Sequence, residues 1–103
     1  MILPPAMLGV FGGGQLGRYF VMAAHELGYR VMVVDPDRDS PAGRIADVHL
    51  LADYDDRHTI ERMAAACAAV TTEFENVPAD SLAYLARFLP VRPDAEALRI
   101  CQD

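Results

Sequence analysis

The chain has 103 residues, of which 52% are hydrophobic, and carries a formal net charge of −6. This length suits one globular domain, the apolar fraction excludes a disordered chain, and the acidic balance argues against a general nucleic-acid binder. All nine basic residues are arginine, so a Walker-type phosphate loop, which needs a lysine, is excluded.

An apolar strand is predicted over Met7–Phe11, and a glycine cluster follows it directly. Gly12, Gly14 and Gly17 occupy the G-x-G-x-x-G positions of a nucleotide-binding strand–loop–helix unit. In such a unit Gly12 allows the tight bend, Gly14 lets the backbone approach a phosphate, and Gly17 lets helix and strand pack closely. The helix N-terminus offers unpaired N–H groups to an anion. The motif therefore indicates a phosphate-bearing ligand, with a purely structural turn as the alternative.

The helix after the glycines is predicted over Gln15–Leu27 and ends at Gly28, which suits the left-handed conformation of a helix end. Its apolar residues recur at steps of three and four, which predicts one buried face. The residues assigned to that face are Leu16, Tyr19, Phe20, Ala23, Ala24 and Leu27.

A second strand is predicted over residues 31–34, with Asp35 at its carboxyl end. In dinucleotide enzymes an acidic residue about 20 positions after the glycines binds the adenosine ribose, so Asp35 keeps an NAD-type ligand open. Residues 36–43 are rich in turn formers and charge. They form either a flap that contacts ligand or an ordinary crossover between strands, and we favour the crossover.

The remaining strands are predicted at residues 48–51, 68–72 and Val91. Three further helices are predicted. They begin at a capping residue or at a proline: Asp55 or Asp56, Pro78, and Asp94. Strands that alternate with helices predict an α/β fold, a Rossmann-like, doubly wound parallel sheet of four to five strands with helices on both faces. The usual order of such a sheet is 3-2-1-4-5.

In that order the first and fourth strands are neighbours, and ligands bind in the crevice at their carboxyl ends. The Gly12–Gly17 and Glu73–Asn76 segments are thereby predicted to face one pocket. The first supplies N–H groups for an anion, and the second supplies carboxylates and an amide for ribose hydroxyls or an amine. A polar loop with a helix cap at Asn76 is the alternative for the second segment. The candidate substrate-binding residues are Gly12, Gly13, Gly14, Gln15, Leu16, Gly17, Glu73, Glu75 and Asn76.

The sequence predicts a cytoplasmic location for the chain. Its apolar runs are far shorter than the roughly 20 residues of a membrane span, and its first residues lack the basic region of a signal peptide. Cys67 and Cys101 have no metal-ligand spacing around them and are predicted to be buried, reduced thiols. No residue is assigned to metal binding or to catalysis.

Three motifs, in this order, resemble 5-(carboxyamino)imidazole ribonucleotide synthase, the ATP-grasp carboxylase of purine biosynthesis. They are Gly12–Arg18, Asp35–Asp37 with residues 40–42, and Glu73–Pro78. The resemblance covers essentially the whole chain, and the chain departs from it at Tyr19, where the family often has methionine. It implies that residues 1–103 are the N-terminal Rossmann-like pre-ATP-grasp domain, with the ATP-grasp and C-terminal domains lying beyond Asp103.

The resemblance also implies a homodimeric enzyme that uses ATP, Mg²⁺ and bicarbonate to carboxylate aminoimidazole ribonucleotide. These cofactors would bind mainly outside this chain, which would form one wall of the ribonucleotide site and be inactive alone. Two alternatives stay open. One is a stand-alone dinucleotide-binding module that uses Gly14 and Asp35. The other is the N-terminal domain of the formate-dependent glycinamide ribonucleotide transformylase, although Gln15 and residues 74–76 favour the carboxylase.

Overall fold

The computed structural model describes residues 2–72, residues 77–93 and Ala97. The strands are β1 (Met7–Phe11), β2 (Arg30–Val34), β3 (Val48–Leu50), β4 (Ala69–Thr72) and β5 (Val91–Arg92). The helices are α1 (Gln15–Glu26), α2 (Arg57–Ala66) and α3 (Ala79–Ala86). All strand pairs are parallel, and the sheet has the order β3-β2-β1-β4-β5. The predicted α/β fold and strand order are confirmed.

One face of the sheet is covered by α1. Successive side chains of a strand point to opposite faces, so every second residue of the two central strands reaches this side. Leu8 and Val10 of β1 and Val31 and Val33 of β2 pack there with Phe20 of the helix. All five are buried, which makes this the first half of the core.

The opposite face is covered by α2 and α3. The intervening residues of the same strands, Phe11, Met32 and Val34, pack against Met63 of α2 and Leu85 of α3. Burial on both faces explains why the central strands are continuous apolar runs rather than alternating ones. The two halves of the core hold the carboxyl ends of β1 and β2 in fixed positions.

The predicted buried face of α1 is wrong at Leu16, Tyr19 and Leu27, which are exposed. Leu16 and Tyr19 each keep 60% of their surface accessible. The helix instead turns its glycine toward the sheet, because a residue without a side chain allows close approach to the strand. The buried residues then follow at i, i+3, i+4 and i+7: Gly17, Phe20, Val21 and Ala24.

The ends of the helices agree closely with the sequence predictions. Gly28 has a φ of 91°, in the left-handed region, directly after the C-cap of α1. Asp56, rather than Asp55, caps α2 by accepting a hydrogen bond from the Thr59 N–H. Pro78 is the N-cap of α3. The helix predicted after Asp94 lies outside the described residues except for Ala97, which is helical and buried.

Cys67 is a free, buried thiol, as predicted, and burial raises its pKa to about 12. Cys101 lies outside the described residues. Within the part of the chain that the structure describes, none of the helices has the length and apolar character needed to cross a membrane.

Candidate functional site

The glycine loop leaves the carboxyl end of β1 and enters α1 in a tight bend. Gly12 has a φ of 103°, which a residue with a side chain rarely adopts, and its N–H donates to the Val34 carbonyl at 3.0 Å. A Cβ added at Gly17 would lie 2.5 Å from the Gly12 carbonyl oxygen. The structural roles predicted for Gly12 in the bend and for Gly17 in close packing are therefore confirmed.

The first turn of α1 has no side-chain cap. Gly14 is the N-cap residue and has no side chain to accept from the helix N–H groups, and this fully described helix has no acidic residue in its first turn. Gly14, Gln15 and Leu16 are exposed, and a Cβ at Gly14 would meet no atom of the described chain within 4 Å. Helix α2 differs, because Asp56 caps it. Among the described residues, no side chain caps the N–H groups at the start of α1, an arrangement suited to an anion.

Gly13 is held from both sides by the crossover between β2 and β3. Its N–H donates to Asp35 Oδ2 at 2.7 Å, and its carbonyl accepts from the Ala42 N–H at 2.8 Å. The same Asp35 oxygen accepts from the Tyr54 hydroxyl at 2.9 Å. Asp35, which the sequence left open as a ribose ligand, is engaged here with the glycine loop itself.

A cleft of about 370 Å³ lies beside the first turn of α1. It is lined by one carboxylate, two guanidinium groups and three uncharged residues: Asp39, Arg18, Arg44, Gln15, Pro41 and Ile45. The cationic side chains outnumber the anionic one, although the whole chain has a net charge of −6. The local charge therefore favours an anion near the start of this helix.

The carboxyl ends of β1 and β4 lie side by side, as predicted. Phe11, the last residue of β1, is in register with Thr72 of β4 on one side and with Val34 of β2 on the other. The other half of the predicted pocket, Glu73, Glu75 and Asn76, lies outside the described residues. Among the residues that are described, no group of three or more His, Cys, Asp or Glu side chains could hold a metal ion.

The contacts that support the glycine loop were not predicted from the sequence. Nothing in the local sequence of Tyr54 signals a hydrogen bond to Asp35. Ser40 is buried and accepts from the Gly43 N–H at 3.1 Å. The turn formers of residues 36–43 were the available signal, because buried polar turns need internal partners.

Comparison with known proteins places this architecture in a family. Residues 6–102 match the family model for the ribonucleotide synthetase preATP-grasp domain. The chain is 42% identical, over 103 residues, to N5-carboxyaminoimidazole ribonucleotide synthase of Bacillus subtilis, covering 100% of this chain and 27% of that protein. An ADP complex of an N5-carboxyaminoimidazole ribonucleotide synthetase is similar in structure, with a TM-score of 0.83, 41% identity, and coverage of 88% of this chain and 24% of that one.

The Aspergillus clavatus enzyme, solved with ADP and 5-aminoimidazole ribonucleotide, has a TM-score of 0.67 at 31% identity, over 91% of this chain and 25% of that one. The chain thus spans about a quarter of the length of these relatives. The family match covers the glycine loop, the crossover and the whole sheet. The chain belongs to the ribonucleotide synthetase preATP-grasp domain family.

Proposed function

We propose that the chain is the N-terminal, substrate-binding domain of an ATP-dependent enzyme that carboxylates 5-aminoimidazole ribonucleotide with bicarbonate in purine biosynthesis. The names of the relatives support this assignment, since they describe a ribonucleotide that carries a carboxyl group on its amine nitrogen. One relative was solved with 5-aminoimidazole ribonucleotide bound. Because the chain spans 27% of such a protein, the reaction also needs residues beyond those of this domain.

The uncapped first turn of α1 is the observation that carries the proposal. Its N–H groups have no intrahelical acceptors, and Gly14 provides neither a capping side chain nor an obstacle. A ribonucleotide brings a phosphate, which accepts several hydrogen bonds and is favoured by the positive end of the helix dipole. We assign phosphate binding to the Gly12–Gly17 loop and helix start, with Arg18 and Arg44 adding positive charge nearby.

The second half of the pocket remains the segment of Glu73, Glu75 and Asn76. The segment follows β4, whose end is in register with the end of β1. Carboxylate and amide oxygens accept from hydroxyl and amine donors, so these residues suit the ribose or the reacting amine of the ribonucleotide. Binding between two segments would orient the amine while the phosphate anchors the molecule.

ATP, Mg²⁺ and bicarbonate are assigned mainly to the ATP-grasp and C-terminal domains of the longer enzyme, which we propose to be cytoplasmic and homodimeric. The ADP bound in one relative supports the use of an adenine nucleotide by the longer enzyme. We expect the chain alone to release no phosphate from ATP in the presence of bicarbonate and 5-aminoimidazole ribonucleotide. A colorimetric phosphate assay against heat-inactivated protein measures this, and bicarbonate-dependent release above that background would contradict the expectation.

Calorimetric titration of the chain with 5-aminoimidazole ribonucleotide, and with the nucleoside that lacks the phosphate, tests the proposed function. We expect the ribonucleotide to bind at least about tenfold more tightly, because charge-assisted hydrogen bonds to phosphate contribute most of the affinity. Gly14→Val would place a branched side chain over the helix N–H groups and abolish that difference. Equal affinities for the two compounds, or a Gly14→Val variant that binds like the original chain, would overturn the proposal.

A further inference from the structure

We propose that Asp35 is a positioning residue for the phosphate-binding loop, and that the Tyr54 hydroxyl holds Asp35 in place for this purpose. The identity of the ligand rests on the proposed function, whereas the contacts that hold the loop are independent of it. In this arrangement Asp35 does not bind ribose. It fixes Gly13, the residue immediately before the N-cap of α1, and thereby fixes the direction of the N–H groups that follow.

The crossover is hydrogen-bonded to the loop at Gly13. Asp35 Oδ2 accepts its N–H at 2.7 Å, a short, charge-assisted bond, while the Ala42 N–H donates to its carbonyl at 2.8 Å. A Cβ added at Gly13 would lie 2.5 Å from Ser40 Oγ and 3.0 Å from Asp35 Cβ. The N–H and the carbonyl of Gly13 are both hydrogen-bonded, and no space remains for a side chain. Gly13 therefore cannot rotate without breaking the hydrogen bonds to the crossover.

Tyr54 makes the Asp35 contact rigid. Its ring packs edge-on against the fully buried Phe11, with the ring centroids 6.0 Å apart and an interplanar angle of 80°. This packing directs the hydroxyl to Asp35 Oδ2 at 2.9 Å. Because Phe11 is the last residue of β1, the ring connects the strand before the loop to the carboxylate that holds the loop.

The remaining bonds of Asp35 are also internal. Oδ1 accepts the Asp37 N–H at 2.8 Å, and the backbone carbonyl lies 3.2 Å from His49 Nε2. The carboxylate therefore receives three donors from its own chain: the N–H groups of Gly13 and Asp37 and the Tyr54 hydroxyl. A ribose hydroxyl would have to compete with these bonds. The position that binds ribose in dinucleotide-binding folds is here part of the support for the loop.

Three single variants of the chain test the proposal. Tyr54→Phe removes only the hydroxyl and keeps the ring contact with Phe11. Asp35→Asn removes the negative charge of the group that accepts hydrogen bonds from Gly13 and Tyr54. Tyr29→Phe is the matched control, because its hydroxyl donates to the Ile2 carbonyl, near the amino-terminal edge of the sheet. For each variant we would measure the Gly13 amide proton shift and exchange rate by NMR, the free energy of unfolding, and the affinity for 5-aminoimidazole ribonucleotide.

We expect Asp35→Asn to weaken ribonucleotide binding about tenfold and Tyr54→Phe about threefold, with the Gly13 amide proton shifted upfield and exchanging faster in both. Tyr29→Phe should lower stability to a similar degree as Tyr54→Phe and leave both the Gly13 signal and the affinity unchanged. This separates positioning of the loop from a general loss of stability.

An unchanged Gly13 signal in Asp35→Asn, or equal losses of affinity in Tyr54→Phe and Tyr29→Phe, would overturn the proposal. If the original chain binds no ribonucleotide, the proposed function fails instead, and the Gly13 signals still decide whether Asp35 and Tyr54 hold the loop.

Discussion

Two glycines of the loop, Gly14 and Gly17, lie in different surroundings. A Cβ at Gly17 would contact the backbone of Gly12, while a Cβ at Gly14 would meet none of the described residues within 4 Å. We expect Gly17→Ala to destabilise the chain by about 1–3 kcal/mol, because its Cβ would lie 2.5 Å from the Gly12 oxygen and push α1 away from β1. Urea unfolding measures this, with Leu16→Ala, at an exposed position of the same helix, as the control. Equal unfolding midpoints for the two variants would contradict the close packing.

Gly14 also allows a test in which stability and binding change in opposite directions. Serine is a good N-cap residue, so Gly14→Ser should raise the free energy of unfolding by a few tenths of a kcal/mol, roughly the N-cap difference between serine and glycine. The same hydroxyl would occupy the first-turn N–H groups that we assign to the phosphate and should weaken ribonucleotide binding. Thermal unfolding and calorimetry on one preparation measure both effects. A variant that is more stable and binds equally well would show that the phosphate lies elsewhere.

At the level of elements, Asp47 connects the end of α1 to the start of β2. Its Oδ2 accepts the Val31 N–H at 2.7 Å and lies 2.8 Å from His25 Nε2. Burial alone would raise the pKa of Asp47, but hydrogen bonds with His25 and Val31 and the charge of His25 outweigh burial and lower the pKa below its ordinary value of 3.8. A carboxyl with a lowered pKa stabilises the fold above its unfolded pKa, and this stabilisation disappears as the pH falls through the folded value.

We therefore expect Asp47→Asn to destabilise the chain at neutral pH and to lose part of its acid sensitivity below about pH 4. Urea unfolding at a series of pH values measures the free energy for both proteins. The two curves should converge as the pH falls, because protonation removes from the original chain what the substitution removes at every pH. Parallel curves would show that Asp47 has the same pKa in the folded and unfolded chain.

The elements themselves were predictable because their signals are local. Apolar runs, the turn-forming Gly28 and the capping Asp56 lie within a few residues of the boundaries that they define. The orientation of α1 was not predictable from its apolar residues, since Gly17 decides which side approaches the sheet. The hydrogen bond between Tyr54 and Asp35 was not predictable either, because it joins two loops that only the geometry of the crossover brings together.

The topology of the whole sheet restricts which ligand the glycine loop can bind. The order β3-β2-β1-β4-β5 places the loop at the point where the winding of the sheet reverses, and the sequence predicted that position correctly. A dinucleotide at this point would set its adenosine ribose against the end of β2, where Asp35 stands. The same carboxylate is bonded to Gly13 and Tyr54. The crossover that supports the loop therefore opposes a dinucleotide.

We accordingly expect NAD and NADP to bind more weakly than about 1 mM, a binding free energy weaker than about −4 kcal/mol. The ribose hydroxyls would have to displace the Gly13 N–H or the Tyr54 hydroxyl from Asp35, and either bond lost without replacement disfavours binding. Calorimetric titration measures the affinity, with 5-aminoimidazole ribonucleotide in the same preparation as the positive control. Micromolar binding of either dinucleotide, lost in Asp35→Asn, would show that Asp35 exchanges its internal bonds for a ribose and would favour the dinucleotide-binding module.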